Sequence, residues 1–397
     1  MPLKQSDCFS INKKYWTLIG IYSTIDSKMY IWYSRIVLFI FIFFYDTLST
    51  LNFYYVPRDL DHFIEELIFY FTELSVISKV LTYILMRESI TKILCVLDSE
   101  KFEPDTEKGI AITTAAMKFN IKYWRIVAFA SYFSHLIHIL SPLIAHLSLS
   151  VPLVLPLCSY SFLTESFKER FIYPLYTYQC LGMHAHMLCN LNIDTFFLGL
   201  MIFTIAQLEI LDDKLVTLTN ISQLPNSKAG DRNNSNINEL EFEKNLNKCV
   251  KQYLEISQFC DLVEDVFSIT LFLQFGIASC IICVCLFRFT LPAPIQYYMF
   301  LASYMFVMTI QIAVPCWFGT RIIVKSSLLS QAIYNCDWTP RPRRFKSTMR
   351  LFVERANRPL SVTGWKMFPL SLNTFTSIMN SAYSFFTLLR YMQTREH

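Results

Sequence analysis

The stretch "SLNTFTSIMNSAYSFFTLLRYM", Ser371 to Met392, decides how this chain is read. It is long enough to cross a bilayer, since about 20 residues at about 1.5 Å each cover the hydrocarbon. Yet Asn373, Ser377, Asn380, Ser384, Thr387 and Tyr391 recur at intervals of 4, 3, 4, 3 and 4. That spacing keeps them on one helical face. Lipid offers a polar seam nothing, so the seam must touch another helix or water. Two readings stand. Ser, Thr and Asn bond helix to helix, or several copies of this helix present their seams to a pore. Phe386, Leu389 and Arg390 flank the face, and in a pore they form a hydrophobic constriction and a charged collar.

Working outward, the whole chain reads as a membrane protein. Of 397 residues, 53% are hydrophobic and only 17% charged, against about 25% charged in soluble domains. Seven apolar runs are long enough to span: Tyr30–Tyr54, His62–Met86, Tyr123–Leu147, Tyr176–Ile205, Leu262–Phe287, Pro294–Trp317 and Phe368–Tyr391. The expected fold is an all-α, seven-transmembrane helix bundle.

Charge placement orients it. Of the 35 Lys and Arg, 28 fall in the N-terminal segment and the second–third, fourth–fifth and sixth–seventh connections or at the span ends beside them, 6 fall on the other side, and Lys79 lies within a span. The positive-inside rule then puts the N-terminus in the cytosol and the C-terminus outside. Trp32, Trp124 and Trp317 sit at inner ends of spans, where amphipathic rings settle at the headgroups. No secretory signal precedes the first span, so that span is expected to direct insertion itself.

The chain divides into a cytosolic segment 1–29, six spans over 30–317, a cytosolic segment 318–367, the seventh span 368–391 and an outer tail 392–397. Ile221–Leu240 is polar and Asn/Ser-rich and reads as a flexible linker. Tyr176–Leu215 holds no proline, so its helix should run on below the membrane. With the amphipathic stretch Glu241–Cys260 and a short basic helix over Arg344–Arg355, it suggests a helical cytosolic base. Cys158 and Cys180 alone are placed to pair outside, and spacing does not decide whether they do.

Within the spans, Lys79 and Asp194 are expected to pair or to face a water-filled cleft. His135 and His138 share a helix face, whereas His184 and His186 do not. Such scattered histidines are not a metal site. The outer half of the bundle is rich in adaptable side chains: Tyr70, Phe71, Phe133, His138, Met183, Met187, Tyr297, Tyr298, Leu301 and Tyr304. A pocket for a small apolar ligand is built from such residues, and so is plain helix packing. Nothing in the chain offers an enzyme's cluster of acids, bases or metal ligands, and no cofactor is implied.

Ser371–Met392 closely resembles the terminal segment of insect odorant receptors. So does "AIYNCDWTPRPRRFKSTMRLFVERANRPLSVTGW", residues 332–365, with Tyr-x-x-x-Trp at 334–338 and Arg-x-Asn-x-Pro at 355–359. The chain resembles the ligand-tuning subunits rather than the common co-receptor, which is longer in its fourth–fifth connection.

The resemblance implies an odorant-binding subunit of a heterotetrameric, non-selective cation channel. Its partners are the co-receptor subunit, a small apolar odorant, membrane lipid and the conducted cations, with no nucleic acid. Its place is the plasma membrane of the olfactory neuron dendrite. The pore helix becomes Leu370–Tyr391, narrowest near Tyr383, Phe386, Thr387, Leu389 and Arg390. The pocket becomes the outer stripes named above. Burying about 250 Å² of a volatile contributes about 6 kcal/mol before entropy costs, consistent with micromolar recognition. Two rivals remain. A G-protein-coupled receptor needs the opposite orientation, and the Asp/Glu-Arg-Tyr and Asn-Pro-x-x-Tyr motifs are absent. A membrane transporter should show inverted repeats.

Overall fold

The computed structural model describes residues 4–22, 27–56, 60–223, 232–335, 338–339 and 341–396. Its helices are α1 (Ser10–Ile19), α2 (Lys28–Leu38), α3 (Phe44–Tyr55), α4 (Leu60–Leu85), α5 (Arg87–Leu97) and α6 (Glu107–Leu149). They continue with α7 (Glu165–Arg170), α8 (Ile172–Gln223), α9 (Arg232–Arg288), α10 (Ile295–Tyr334), α11 (Arg343–Ala356) and α12 (Leu372–Glu396). A π-helical turn, Phe39–Phe43, joins α2 and α3 into one rod. Strands β1 (Thr363–Gly364) and β2 (Phe368–Pro369) form a small antiparallel hairpin before α12.

Six of these rods are long and apolar enough to cross a membrane among the described residues: α2–α3, α4, α6, α8, α9 and α10. The seventh, α12, has the length but not the hydropathy, because its seam dilutes it. The helix starts at Leu372, later than the apolar run suggests, since Phe368 and Pro369 are spent on the hairpin.

Burial ranks the rods. The most apolar window of α8 is 89% buried and that of α6 only 6%. So α8 is the central pillar, packing on α1, α4, α6, α9 and α10, while α6 lies at the rim. At about 1.5 Å per residue the 52 residues of α8 extend about 78 Å, well beyond the hydrocarbon. The projecting halves of α6, α8, α9 and α10 with α1, α5 and α11 make the helical base. Amphipathic spacing seats α11 there, with Phe345, Met349, Phe352 and Ala356 buried. Of the expected linker, 221–223 and 232–240 are helical and 224–231 lies outside the described residues.

The N-terminal segment closes the base from one side. Its Trp16 is wholly buried, 4.8 Å from Phe196 and 5.2 Å from Tyr83. At the other side of the base Lys214 reaches Asp105 at 2.8 Å. Partial burial alone would raise the Asp105 carboxyl, but the Lys214 ammonium outweighs it and holds the group below its ordinary value.

The hairpin ties α12 to its neighbours. The Glu264 carboxylate on α9 accepts from Thr363 N at 3.1 Å and Thr363 Oγ1 at 2.9 Å. On α10, Ser326 Oγ accepts from Leu360 N and Thr320 Oγ1 from Leu372 N, each at 2.9 Å. Leu370 lies so close to Gly319 that a Cβ there would stand 2.2 Å from the Leu370 carbonyl oxygen. A backbone atom cannot swing aside as a side chain does. Gly319→Ala is therefore expected to destabilise the protein by about 1–3 kcal/mol, read as a lower melting midpoint in detergent. Gly276→Ala, where a Cβ meets nothing within 4 Å, should leave the midpoint unchanged or raise it.

Candidate functional site

Three aromatic-bearing elements converge in the half of the bundle far from the base. The Phe69 ring of α4 lies 5.9 Å from His138 of α6, 6.1 Å from Phe300 and 6.3 Å from Tyr304, both on α10. His138 Nε2 donates to Pro156 O at 2.8 Å, which fixes the imidazole plane. The Tyr304 hydroxyl hydrogen-bonds Thr72 Oγ1. Tyr297 extends the cluster, 6.3 Å from Phe300, with the Arg288 guanidinium 4.8 Å over its ring.

The other pocket candidates are distributed differently. Leu301 is wholly buried, and Phe71 and Met187 pack half-buried on the core. Met183 is half-buried too. Tyr70 turns to the first rod and stacks on Phe53 at 4.8 Å. Tyr298 pins the loop before α10, donating to Leu291 O at 2.6 Å and accepting from Ala293 N at 3.1 Å. Phe133 is 59% exposed, on Phe129. It lies five residues from His138, about 140° round the helix. Sequence reading missed Phe69 and Phe300. The spacing 297, 300, 304 marks one face of α10 and omits Tyr298.

Beneath this cluster lies a buried polar knot. Lys79 is fully enclosed, and its ammonium donates to Asp194 Oδ1 and Asn190 Oδ1, both at 2.6 Å. Gln311 Nε2 donates to the second Asp194 oxygen at 2.9 Å. One knot thus joins α4, α8 and α10. The two residues named as charges in the spans do pair, and no cleft separates them. A second buried set was missed. His186 faces Asp46 at 3.1 Å through Nε2 and donates through Nδ1 to Gly182 O at 2.9 Å, with Glu73 and Ser49 also buried. An Asp inside the first apolar run and a Glu inside the second were the signal for it. His184 is directed elsewhere, its ring 5.2 Å from His135. Among the described residues no three His, Cys, Asp or Glu converge on a metal-sized site. Cys158 and Cys180 are both free thiols.

The terminal helix shows two faces. Phe375, Ile378, Met379, Ala382 and Phe386 pack inward, on a bundle face made by α9 and α10. Asn373, Ser377, Asn380, Ser384, Thr387 and Tyr391 are all exposed. Of the five expected constriction residues, Tyr383, Thr387, Leu389 and Arg390 are exposed and Phe386 is turned back onto the bundle. The seam therefore does not bond α12 to its own bundle. Ser384 and Thr387 satisfy their hydroxyls within the helix, on the carbonyls of Asn380 and Ser384.

Comparison with known proteins adds a family. The model of the 7tm Odorant receptor family matches residues 59–383. Odorant receptor Or2 of Anopheles gambiae is 26% identical over 145 residues, 36% of this chain and 38% of that protein. Odorant receptor 67c of Drosophila melanogaster is 27% identical over 143 residues, 36% of this chain and 33% of its own length. The sequence matches thus span about a third of the length of these relatives. The solved structure of the insect olfactory receptor OR5 from Machilis hrabei in complex with eugenol superposes with a TM-score of 0.78. It is 16% identical over 98% of this chain and 97% of its own, so it shows the shared fold.

The polar knot carries a stability prediction. Removing one partner of a buried ion pair strands the other, at about 3–5 kcal/mol. Asp194→Leu should thus melt far below the wild type in detergent, and Lys79→Met with Asp194→Leu should recover most of the loss.

Proposed function

Because the chain belongs to the insect odorant receptor family, we propose that it is the odorant-binding subunit of a ligand-gated, non-selective cation channel. The observation that carries this reading is the outward polar seam of α12. Its Ser384 and Thr387 hydroxyls are satisfied within the helix, but the exposed Asn373 and Asn380 amides need a neighbouring subunit or an aqueous path, because hydrocarbon supplies no hydrogen bond. The channel is heteromeric in this reading, with a co-receptor subunit completing a tetramer around the terminal helices. Tyr383, Thr387, Leu389 and Arg390 face the axis or its edges, and Phe386 braces the helix from behind.

The odorant lies in the far half of the bundle, against Phe69, His138, Phe300 and Tyr304. Opening follows when the ligand binds the open arrangement more tightly than the closed one. The hairpin bonds from α9 and α10 provide a connection from that region to the start of α12. The base stands in the cytosol of the olfactory neuron dendrite and the far half outside, since the excess of Lys and Arg follows the base.

Expression with and without the co-receptor, under voltage clamp with a panel of volatiles, tests the reading. A current that appears only with both subunits and persists when G proteins are blocked is expected. A response that depends on G-protein signalling overturns the channel, and so does no response to any volatile. Within a responding channel, Asn380→Cys and Ser384→Cys should be modified by a charged, water-borne thiol reagent, cutting the current by half or more. Ala382→Cys, on the packed face, should be unaffected.

A further inference from the structure

The buried set around His186 joins α3, α4 and α8, and its hydrogen bonds decide how many protons it holds. His186 Nδ1 faces the Gly182 carbonyl oxygen at 2.9 Å, and Nε2 faces the two Asp46 carboxylate oxygens at 3.1 and 3.3 Å. A carbonyl oxygen only accepts, and so does an ionised carboxylate. A neutral imidazole has one N–H, so it meets one of these partners and turns a bare lone pair on the other. An imidazolium satisfies both, and so does a neutral ring with the extra proton on Asp46. Either way the pair holds one proton more than a neutral imidazole beside a carboxylate.

Glu73 of α4 brings a second carboxyl. Asp46, Glu73 and His186 are all buried, and Glu73 is a charged neighbour of both the others. Among the described residues no lysine or arginine pairs with either carboxylate. The other titratable groups turned to the set are Tyr45 of α3, its ring 4.9 Å from His186, Tyr178 and Cys189 of α8, Cys158 and Tyr160 of the loop between α6 and α7, and Glu66, which Asn52 bonds at 3.0 Å. None of these supplies a positive charge. Two carboxylates therefore share one cation, and a net charge is costly inside a bundle surrounded by lipid. Neutrality calls for a second proton, on a carboxyl.

The set is linked to the aromatic cluster in two ways. Glu73 directly follows Thr72, whose hydroxyl meets that of Tyr304. In the loop between α6 and α7, Pro156 O accepts from His138 of the cluster, while Leu157 N and Cys158 O are both bonded by Gln179, two turns before His186 on α8.

We propose that Asp46, Glu73 and His186 form a proton-binding site, and that this receptor responds to acid as well as to its odorant. Protons hold α3 and α4 to α8, and their loss loosens that contact beside the aromatic cluster. Losing the first leaves the imidazole lone pair against an acceptor, and losing the second leaves two like charges in one buried set. The site itself stands on the hydrogen-bond geometry. Only its coupling to a response rests on the odorant-receptor reading.

The test uses the full chain, purified in detergent, with its melting midpoint followed from pH 5.5 to pH 9. The variants are Asp46→Asn, Glu73→Gln, and Asp46→Asn combined with His186→Gln, which keep hydrogen-bonding groups in place and remove the charges. The wild-type midpoint should fall towards the alkaline end by about 3 °C more than that of the double variant. Asp46→Asn alone should flatten the curve as well, since its amide N–H can face a neutral Nε2. The slope against pH is the readout, so a variant that is merely less stable still reports. In co-expression with the co-receptor, the volatile concentration for half-maximal current should shift about three-fold or more between external pH 5.5 and 8.5 in the wild type, and stay constant in the double variant. A pH-dependent midpoint lost in the variants supports the site even where no volatile evokes current, in which case the channel reading alone fails. A wild-type midpoint that ignores pH, or a slope that the double variant retains, overturns the site. A responding channel whose sensitivity ignores external pH overturns the coupling.

Discussion

A lysine ammonium fully enclosed in a membrane bundle is tolerable only when its charge and its donors are met, and that constraint organises this fold. Lys79 of α4 is met by Asp194 and Asn190 of α8, and Gln311 of α10 completes the carboxylate. Three helices are thereby held in one register. A slide of a single turn, about 5.4 Å, would strand the charge, whereas apolar contacts alone change little on such a slide. The central pillar α8 also buries Gln179, His186, Asn192, Thr195, Thr204 and Gln207, and each of them is hydrogen-bonded.

The terminal helix depends on a different kind of contact. Its inner face is a modest apolar stripe, and its start is set by backbone geometry. Gly319 admits the Leu370 carbonyl, Thr320 and Ser326 accept backbone N–H groups, and Glu264 caps the hairpin. These bonds come from α9 and α10 together. Any rearrangement between those two helices is thus delivered to the first turn of α12 rather than spread along it. Farther along, α12 is held mainly by Phe375, Ile378, Met379, Ala382 and Phe386, packing that permits small rotations where hydrogen bonds would not.

How much of this could be read in advance differs by kind of signal. Helical bundle, long fourth rod and basic α11 were legible, because hydropathy and 3.6-residue spacing are local. The Lys79–Asp194 pair was legible as a possibility, since ionisable groups in apolar runs are rare enough to seek each other. Asp46 and Glu73 carried the same signal and were passed over, as was the neutral amide of Gln311. Which face of α12 looks outward was not legible, because both of its stripes have helical spacing and only packing against α9 and α10 chooses between them. The aromatic stripes were legible as composition but not as convergence. Tyr298 and Tyr304 sit on the same helix, yet one ties a loop and the other meets Thr72. The hairpin was not legible at all, since two-residue strands depend on the partners on α9 and α10.

Polar groups without a partner among the described residues stand both inside the bundle and on its surface. Inside, the Trp16 indole N–H and the Tyr83 and Thr113 hydroxyls are buried with none. On the surface they are the Asn373 and Asn380 amides of the α12 seam, whose Ser384 and Thr387 hydroxyls are satisfied within the helix. The seam runs for several turns along the helix. Helices α9 and α10 wall a small cavity at Gln274 and Met308 and also bond the start of α12 at Glu264 and Thr320. A change in the packing between these two helices therefore reaches the first turn of α12 through rigid rods rather than through a flexible relay.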